Sequence, residues 1–313
     1  MPAFSTYMYL RSSILKVIAY FDLFSYPLAL EDILYFLDTE AEEYTVRREL
    51  DALIEEGCLF RTATFYSLQD DPALAEKRAN SCRRADALLP VAERGARLLY
   101  QFPFVRGVFI SGSLSKRCAE VKEDVDYFIV TSANRLWIAR TLMHLFKKLT
   151  YLRGRQHRYC MNYYVDEEAL EIREKNIFTA TELITLIAAS GNGGVINFFK
   201  ANEWTTRFYP QYHHRNRESL GTPRSSPLKR TCEQLLNNRI GDRLDNYLRK
   251  LTAGRWKKKE DRGDLTMRGH KMSLQCDKHF ARPNPEIFQQ MLLTSYQRKI
   301  RELSPYFLRN EII

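Results

Sequence analysis

The chain has 313 residues, 45% of them hydrophobic and 12% aromatic, and a net charge of +10. That composition excludes a disordered or low-complexity protein, and the length allows roughly two or three domains. The charge is uneven: residues 1–70 hold five basic and twelve acidic side chains, net −7, so the remainder carries +17.

In chain order, "LRSSILKVIAYFDLF" has apolar residues at helical spacing, which predicts a helix from Leu10 to about Leu23. It is broken by Lys16 and Asp22 and is too short for a membrane span, which needs about 20 apolar residues. "SYPLALEDILYFL" restarts as a helix after Pro27, and "YTVRRELDALIEEG" is a third helix with Gly57 as its stop. "CLFRTATFYSL" alternates across a short turn, as a hairpin does.

Three helices and a hairpin, with "YFDLFSYPLALEDI", resemble a winged helix-turn-helix domain over residues 1–70. DNA binding through its third helix is disfavoured, because DNA affinity comes mainly from neutralising phosphates and this segment is acidic. Protein contact or a structural role is the expectation.

Residues 71–104 read as a helical connector divided at Pro90. "VRGVFIS", "DVDYFIV" and "RYCMNYYV" then read as strands, with "RLWIARTLMHLFKKLTYL" as a helix whose apolar face takes in Trp137, Ile138, Leu142, Leu145 and Phe146. "ATELITLIAAS" and "VINFFKANEW" read as helices around the Gly191–Gly194 break. These segments make a core over residues 105–204. Residues 205–313 form a basic, helical C-terminal region, about +12 from Thr205 onward. It holds a loose stretch from Tyr209 to about Pro227, helices over Leu228–Thr252 and Pro285–Leu308, and between them a mobile loop, "AGRWKKKEDRGDLTMRGHK". Its charge points to a polyanionic partner such as nucleic acid; solvated helix faces give the same composition.

Six cysteines, at positions 58, 82, 118, 160, 232 and 276, form no Cys-x-x-Cys pair and predict free thiols in a reducing cytoplasm. Cys276 and His279 have a metal-like spacing, but no second pair completes a zinc site.

The chemistry concentrates in "FISGSLSKRCAEVKEDVDYFIV". Asp124 and Asp126, two apart on a strand, share one face, with Val125 turned into the core. Two carboxylates that close repel unless a cation lies between them, and Mg²⁺ commonly takes one or two carboxylates plus substrate phosphates. Gly112–Ser113 ends the preceding strand, where glycine permits close approach and exposed N–H groups favour phosphate. A solvent-facing Asp pair at a strand start is the bland reading of the same residues.

The ordered set, Ile110-Ser111-Gly112-Ser113 followed by Asp124-Val125-Asp126-Tyr127, resembles the signature of the DNA polymerase β-like nucleotidyltransferase superfamily. "FVRGVFISGSLSK", "DVDYFIVT", "CMNYYVDEEAL" and "FTATELI" extend the likeness to bacterial predicted nucleotidyltransferases that carry an N-terminal winged helix. The resemblance implies an α+β chain with a central palm: a small mixed β-sheet flanked by helices. It implies Mg²⁺- or Mn²⁺-dependent transfer of NMP from an NTP to an acceptor hydroxyl on a small molecule, RNA or protein. Gly112 and Ser113 would hold the triphosphate, and Asp124 and Asp126 the metal. Ser115, Lys116, Arg135 and Arg140 are candidates by position for phosphate contacts. The superfamily's third carboxylate position falls at Asn162, an amide that can ligate weakly but cannot act as a base. Asp166, Glu167 and Glu168 are nearby substitutes. The alternative is a non-catalytic nucleotide-sensing or nucleic-acid-binding regulator on the same fold.

Overall fold

A computed structural model describes residues 2–120, 124–151, 158–211, 221–265, 274–283 and 286–307. The chain is mixed α+β, and its main sheet is mixed. Helix α1 (Pro2–Asp22) opens the chain. Strand β1 (Leu28–Ala29) precedes α2 (Leu30–Phe36), so the restart after Pro27 begins as extended chain. Helix α3 (Glu43–Glu55) and the hairpin of β2 (Phe60–Thr62) and β3 (Phe65–Ser67) follow; β1 pairs with β3 to make a small sheet. Ile14, Leu28, Ile33, Val46, Leu50 and Leu53 are all buried in the core of this unit.

Helix α4 (Pro72–Tyr100) runs unbroken, contrary to the expected division at Pro90. Pro90 is exposed, while Ala85, Ala92, Ala96 and Leu99 on either side of it are buried against the sheet. Burial along one face outweighs the single hydrogen bond the proline removes. Gly95 lets α4 approach closely, since an added Cβ would meet the Tyr127 hydroxyl.

The main sheet has the order β7-β4-β5-β6-β9-β8 among the described residues. It is built from β4 (Val105–Ser111), β5 (Asp126–Thr131), β6 (Cys160–Asp166), β7 (Ile187–Ser190), β8 (Leu274–Cys276) and β9 (Phe280–Pro283). Strand β4 is antiparallel to β5 and β7, while β5 and β6 are parallel. The parallel crossover is α6 (Leu136–Tyr151), buried through Leu136, Trp137, Ile138, Ala139 and Met143. Leu145, expected on the buried face, is 56% exposed.

Further expectations fail. "ATELITLIAAS" is a helix, α7 (Ile177–Ile184), only to its midpoint; its second half is strand β7 on the free edge of β4. A short apolar run fits a buried helix and a buried strand equally, and here the open edge decides. The C-terminal part is not only helical either. After α8 (Asn192–Ala201), α9 (Pro227–Leu236) and α10 (Arg239–Asp261), the β8–β9 hairpin joins the main sheet, and α11 (Glu286–Glu302) packs on α1. "AGRWKKKED", read as mobile loop, is the last part of α10; residues 266–271 of that segment and residues 212–220 of the loose stretch lie outside the described residues. No helix among the described residues is long and apolar enough to cross a membrane.

Candidate active site

Strand β4 ends at Ser111, which pairs in register with Asp126, the first residue of β5. A single helical turn, α5 (Gly112–Ser115), leaves β4 at that point, so the Gly-Ser turn and the Asp pair meet at one end of the sheet. Gly112 has φ +73°, the left-handed region that favours glycine. A Cβ on it would lie 2.6 Å from Asp126 Oδ2, so the carboxylate rests against the bare Cα of the turn. Glycine is required there twice over, for its backbone and for its missing side chain.

Asp124 lies just ahead of β5 rather than within it. The strand alternation nevertheless holds: Val125 is buried, its carbonyl accepts from Cys160 N at 3.0 Å, and Asp124 and Asp126 are both half-buried.

Asn162 reaches the same place from β6. The β5–β6 register shifts between Tyr127 and Phe128, which face Met161 and Tyr163, leaving Asn162 as the extra residue of a bulge. Its Nδ2 donates to Asp126 Oδ1 at 2.5 Å, and its Oδ1 accepts from the Cys160 thiol at 3.1 Å. Burial, reinforced by the Asp126 and Asp124 charges, pushes that thiol up to about 12. Cys160 is thus a neutral neighbour of the Asp pair.

The candidate phosphate ligands are positioned differently from one another. Ser115 Oγ donates to Gly112 O at 2.8 Å and braces the turn from within. Lys116 Nζ donates to the same carbonyl at 3.1 Å and pairs with Glu182 Oε2 of α7 at 2.8 Å. Two of its three N–H donors are thus engaged, one by the turn and one by α7. Ser113 is half-exposed at the start of α5. Glu182 was not singled out in the sequence; a lone carboxylate in the apolar run "FTATELI" was the available signal.

Arg135 and Arg140 do not join the site. Arg135 is buried at the start of α6, where it pairs with Asp242 at 2.6 Å and donates to the Leu236 and Asn238 carbonyls. Arg140 is buried against the Trp137 and Tyr164 rings. Nor can Asp166 stand in for Asn162. It pairs with Thr131 at the far end of β5, five residues from Asp126, roughly 17 Å at about 3.3 Å per residue. Asp166 is fully buried there; it holds His279 Nδ1 at 2.9 Å and accepts from the Asn134 and Glu168 amides. Glu167 and Glu168 follow it at that end. No group of three or more His, Cys, Asp or Glu side chains able to hold a metal occurs among the described residues.

The donor set at the Gly112 end is of the oxygen type that a hard divalent ion takes. It has two oxygen-donor carboxylates and the Asn162 amide, whose nitrogen faces Asp126 and whose carbonyl faces Cys160, and Asp126 fills the space that a Gly112 side chain would take. No protein-family model, curated protein or solved structure matches the chain.

Proposed function

We propose that the chain is a metal-dependent nucleotidyltransferase of the DNA polymerase β-like kind, with a winged-helix-like N-terminal unit and a palm-like core. The observation that carries this is the meeting of Gly112 with Asp126 across the β4–β5 end, with Asn162 hydrogen-bonded to Asp126 from the parallel neighbour strand.

In this reading Gly112 and Ser113 receive the triphosphate, and Asp124 and Asp126 hold Mg²⁺ or Mn²⁺. The ion, when bound, neutralises phosphate charge and orients the reacting oxygens. Transfer forms a bond between the acceptor oxygen and the α-phosphorus and breaks the α–β bridge, and pyrophosphate leaves with the electron pair. Asp126 is held in place by Gly112 and Asn162, so its orientation precedes ligand binding. Asn162 cannot take the acceptor proton, which passes to solvent or to a group on the acceptor itself. Lys116 exchanges Glu182 for a phosphate oxygen, a charge-for-charge swap within one turn.

The N-terminal unit serves as a contact module in this reading. Helix α3 presents Glu43, Tyr44, Asp51 and Glu55 to solvent beside Arg47 and Arg48, and Arg47 is paired with Glu43 at 2.7 Å. That face offers little to a phosphate backbone.

One observation favours the second reading, a non-catalytic nucleotide-binding regulator: the 2.5 Å bond that ties Asp126 to an amide instead of a third carboxylate. Pyrophosphate release separates the two. Active protein releases pyrophosphate from NTP with Mg²⁺ or Mn²⁺ and an acceptor from cell extract, and Asp124→Asn and Asp126→Asn abolish it. Normal NTP binding with no release and no label transfer supports the regulator instead.

A further inference from the structure

A cavity opens between α1, the start of α7, the turn Glu203–Arg207 and α11. Its volume is about 780 Å³, within the roughly 300–1,000 Å³ of small-molecule sites, which favour such seams between units. None of the residues assigned above to nucleotide or metal lines it.

Its floor is aromatic. Tyr20 and Tyr209 are buried there, and Tyr296 meets the Tyr20 ring edge-on at 5.8 Å. The Tyr209 hydroxyl is already bonded to Thr181 Oγ1 at 2.5 Å, so the floor is largely satisfied without a ligand. The wall carries four cations, Lys16, Lys175, Arg207 and Arg301, against one carboxylate, Asp38. Lys16 pairs with Asp38 at 3.2 Å, and Lys175 with Glu171 at 2.5 Å. Arg207 and Arg301, both exposed, have no carboxylate partner among the described residues. Two guanidinium groups over a ring-lined floor match one ligand shape: an apolar planar body with a carboxylate or phosphate at one end. Guanidinium forks bind such groups bidentately, and aromatic walls receive a planar body edge-on or offset.

We propose that this cavity binds a small aryl anion, with its ring on the Tyr20–Tyr209–Tyr296 floor and its anionic group on Arg207 and Arg301. The site is separate from the nucleotide site and stands whether or not the chain transfers nucleotides.

The test is fluorescence titration of the full chain with 8-anilinonaphthalene-1-sulfonate, followed by displacement with phenyl phosphate, phenol and inorganic phosphate. The expected result is saturable binding, displaced at least about tenfold better by phenyl phosphate than by phenol or by phosphate alone, a difference of about 1.4 kcal/mol. Arg207→Gln/Arg301→Gln, two surface changes that leave Tm unaltered, weakens the dye at least about tenfold. Tyr296→Ala weakens it as well, and Asp126→Asn leaves it unchanged. Equal displacement by phenol, dye binding unaffected by the arginine pair, or dye binding lost in Asp126→Asn each overturns the proposal.

Discussion

At the scale of single residues, the site depends on what Gly112 lacks. A methyl group there enters Asp126's space and forces a left-handed backbone on an L-residue, which costs about 1–2 kcal/mol. Gly112→Ala is therefore expected to fold, with a slightly lowered Tm, and to lose metal-dependent NTP binding at least about tenfold by calorimetry. Asn162→Asp tests the other flank. It sets a third carboxylate where an amide now donates to Asp126, so the metal-free protein loses stability, a Tm drop of roughly 2–4 °C, and Mg²⁺ raises its Tm more than it raises that of wild type. The Gly-Ser and Asp-x-Asp residues were legible in the sequence because their spacing is local and their chemistry is explicit. The bulge that delivers Asn162 was legible only as a position. The commitments of Lys116 to Glu182 and of Arg135 to Asp242 were not legible, since they depend on partners 66 and 107 residues away.

At the scale of elements, α4 packs on β4 and reaches β5, the strand that opens with Asp126, through Tyr127. Gly95 sits under the Tyr127 hydroxyl, which donates to Ala92 O at 2.9 Å. Gly95→Ala overpacks that contact and is expected to destabilise the protein by about 1–3 kcal/mol in urea titrations, with Tyr127→Phe restoring part of the loss. Helix α6 carries a different liability. His144 is held neutral by burial, with Arg140, Lys147 and Lys148 adding to the effect, and its pKa falls to about 3. Its folded value lies below the usual value near 6.5, so its contribution is complete above about pH 6.5 and is lost as pH falls towards 3. Asp245, raised by burial to about 6, works in the opposite direction below that pH. The comparison of wild type with His144→Phe isolates the histidine. The variant is expected to lose less stability between pH 6.5 and 4, by up to about 1.4 kcal/mol per pH unit. Element types were legible wherever periodicity was long, as in α1, α3 and α6. They failed at "LIAAS", where the free edge of β4 decided, and at β8–β9, where three- and four-residue strands gain their pairing only from the sheet.

At the scale of the whole molecule, the C-terminal part closes onto both the central sheet and the first helix. The β8–β9 hairpin extends the sheet beyond β6, and α11 packs on α1, tied by the Lys299–Asp22 ion pair. Arg11 joins in from α1, paired with Glu49 at 2.7 Å and with Glu56, and donating to Tyr306 O. The division into an acidic first part and a basic last part was visible in composition; that the two parts pack together was not, because charge counts carry no topology. The candidate site sits apart from these closures, at the Gly112 end of the central strands, and the account rests on it. Calorimetric titration with a non-hydrolysable α,β-methylene NTP, with and without Mg²⁺, on wild type and Asp126→Asn, tests it most directly. The account predicts binding that requires Mg²⁺ and falls at least about tenfold in the variant. Binding of equal strength without the metal, or in Asp126→Asn, would contradict it.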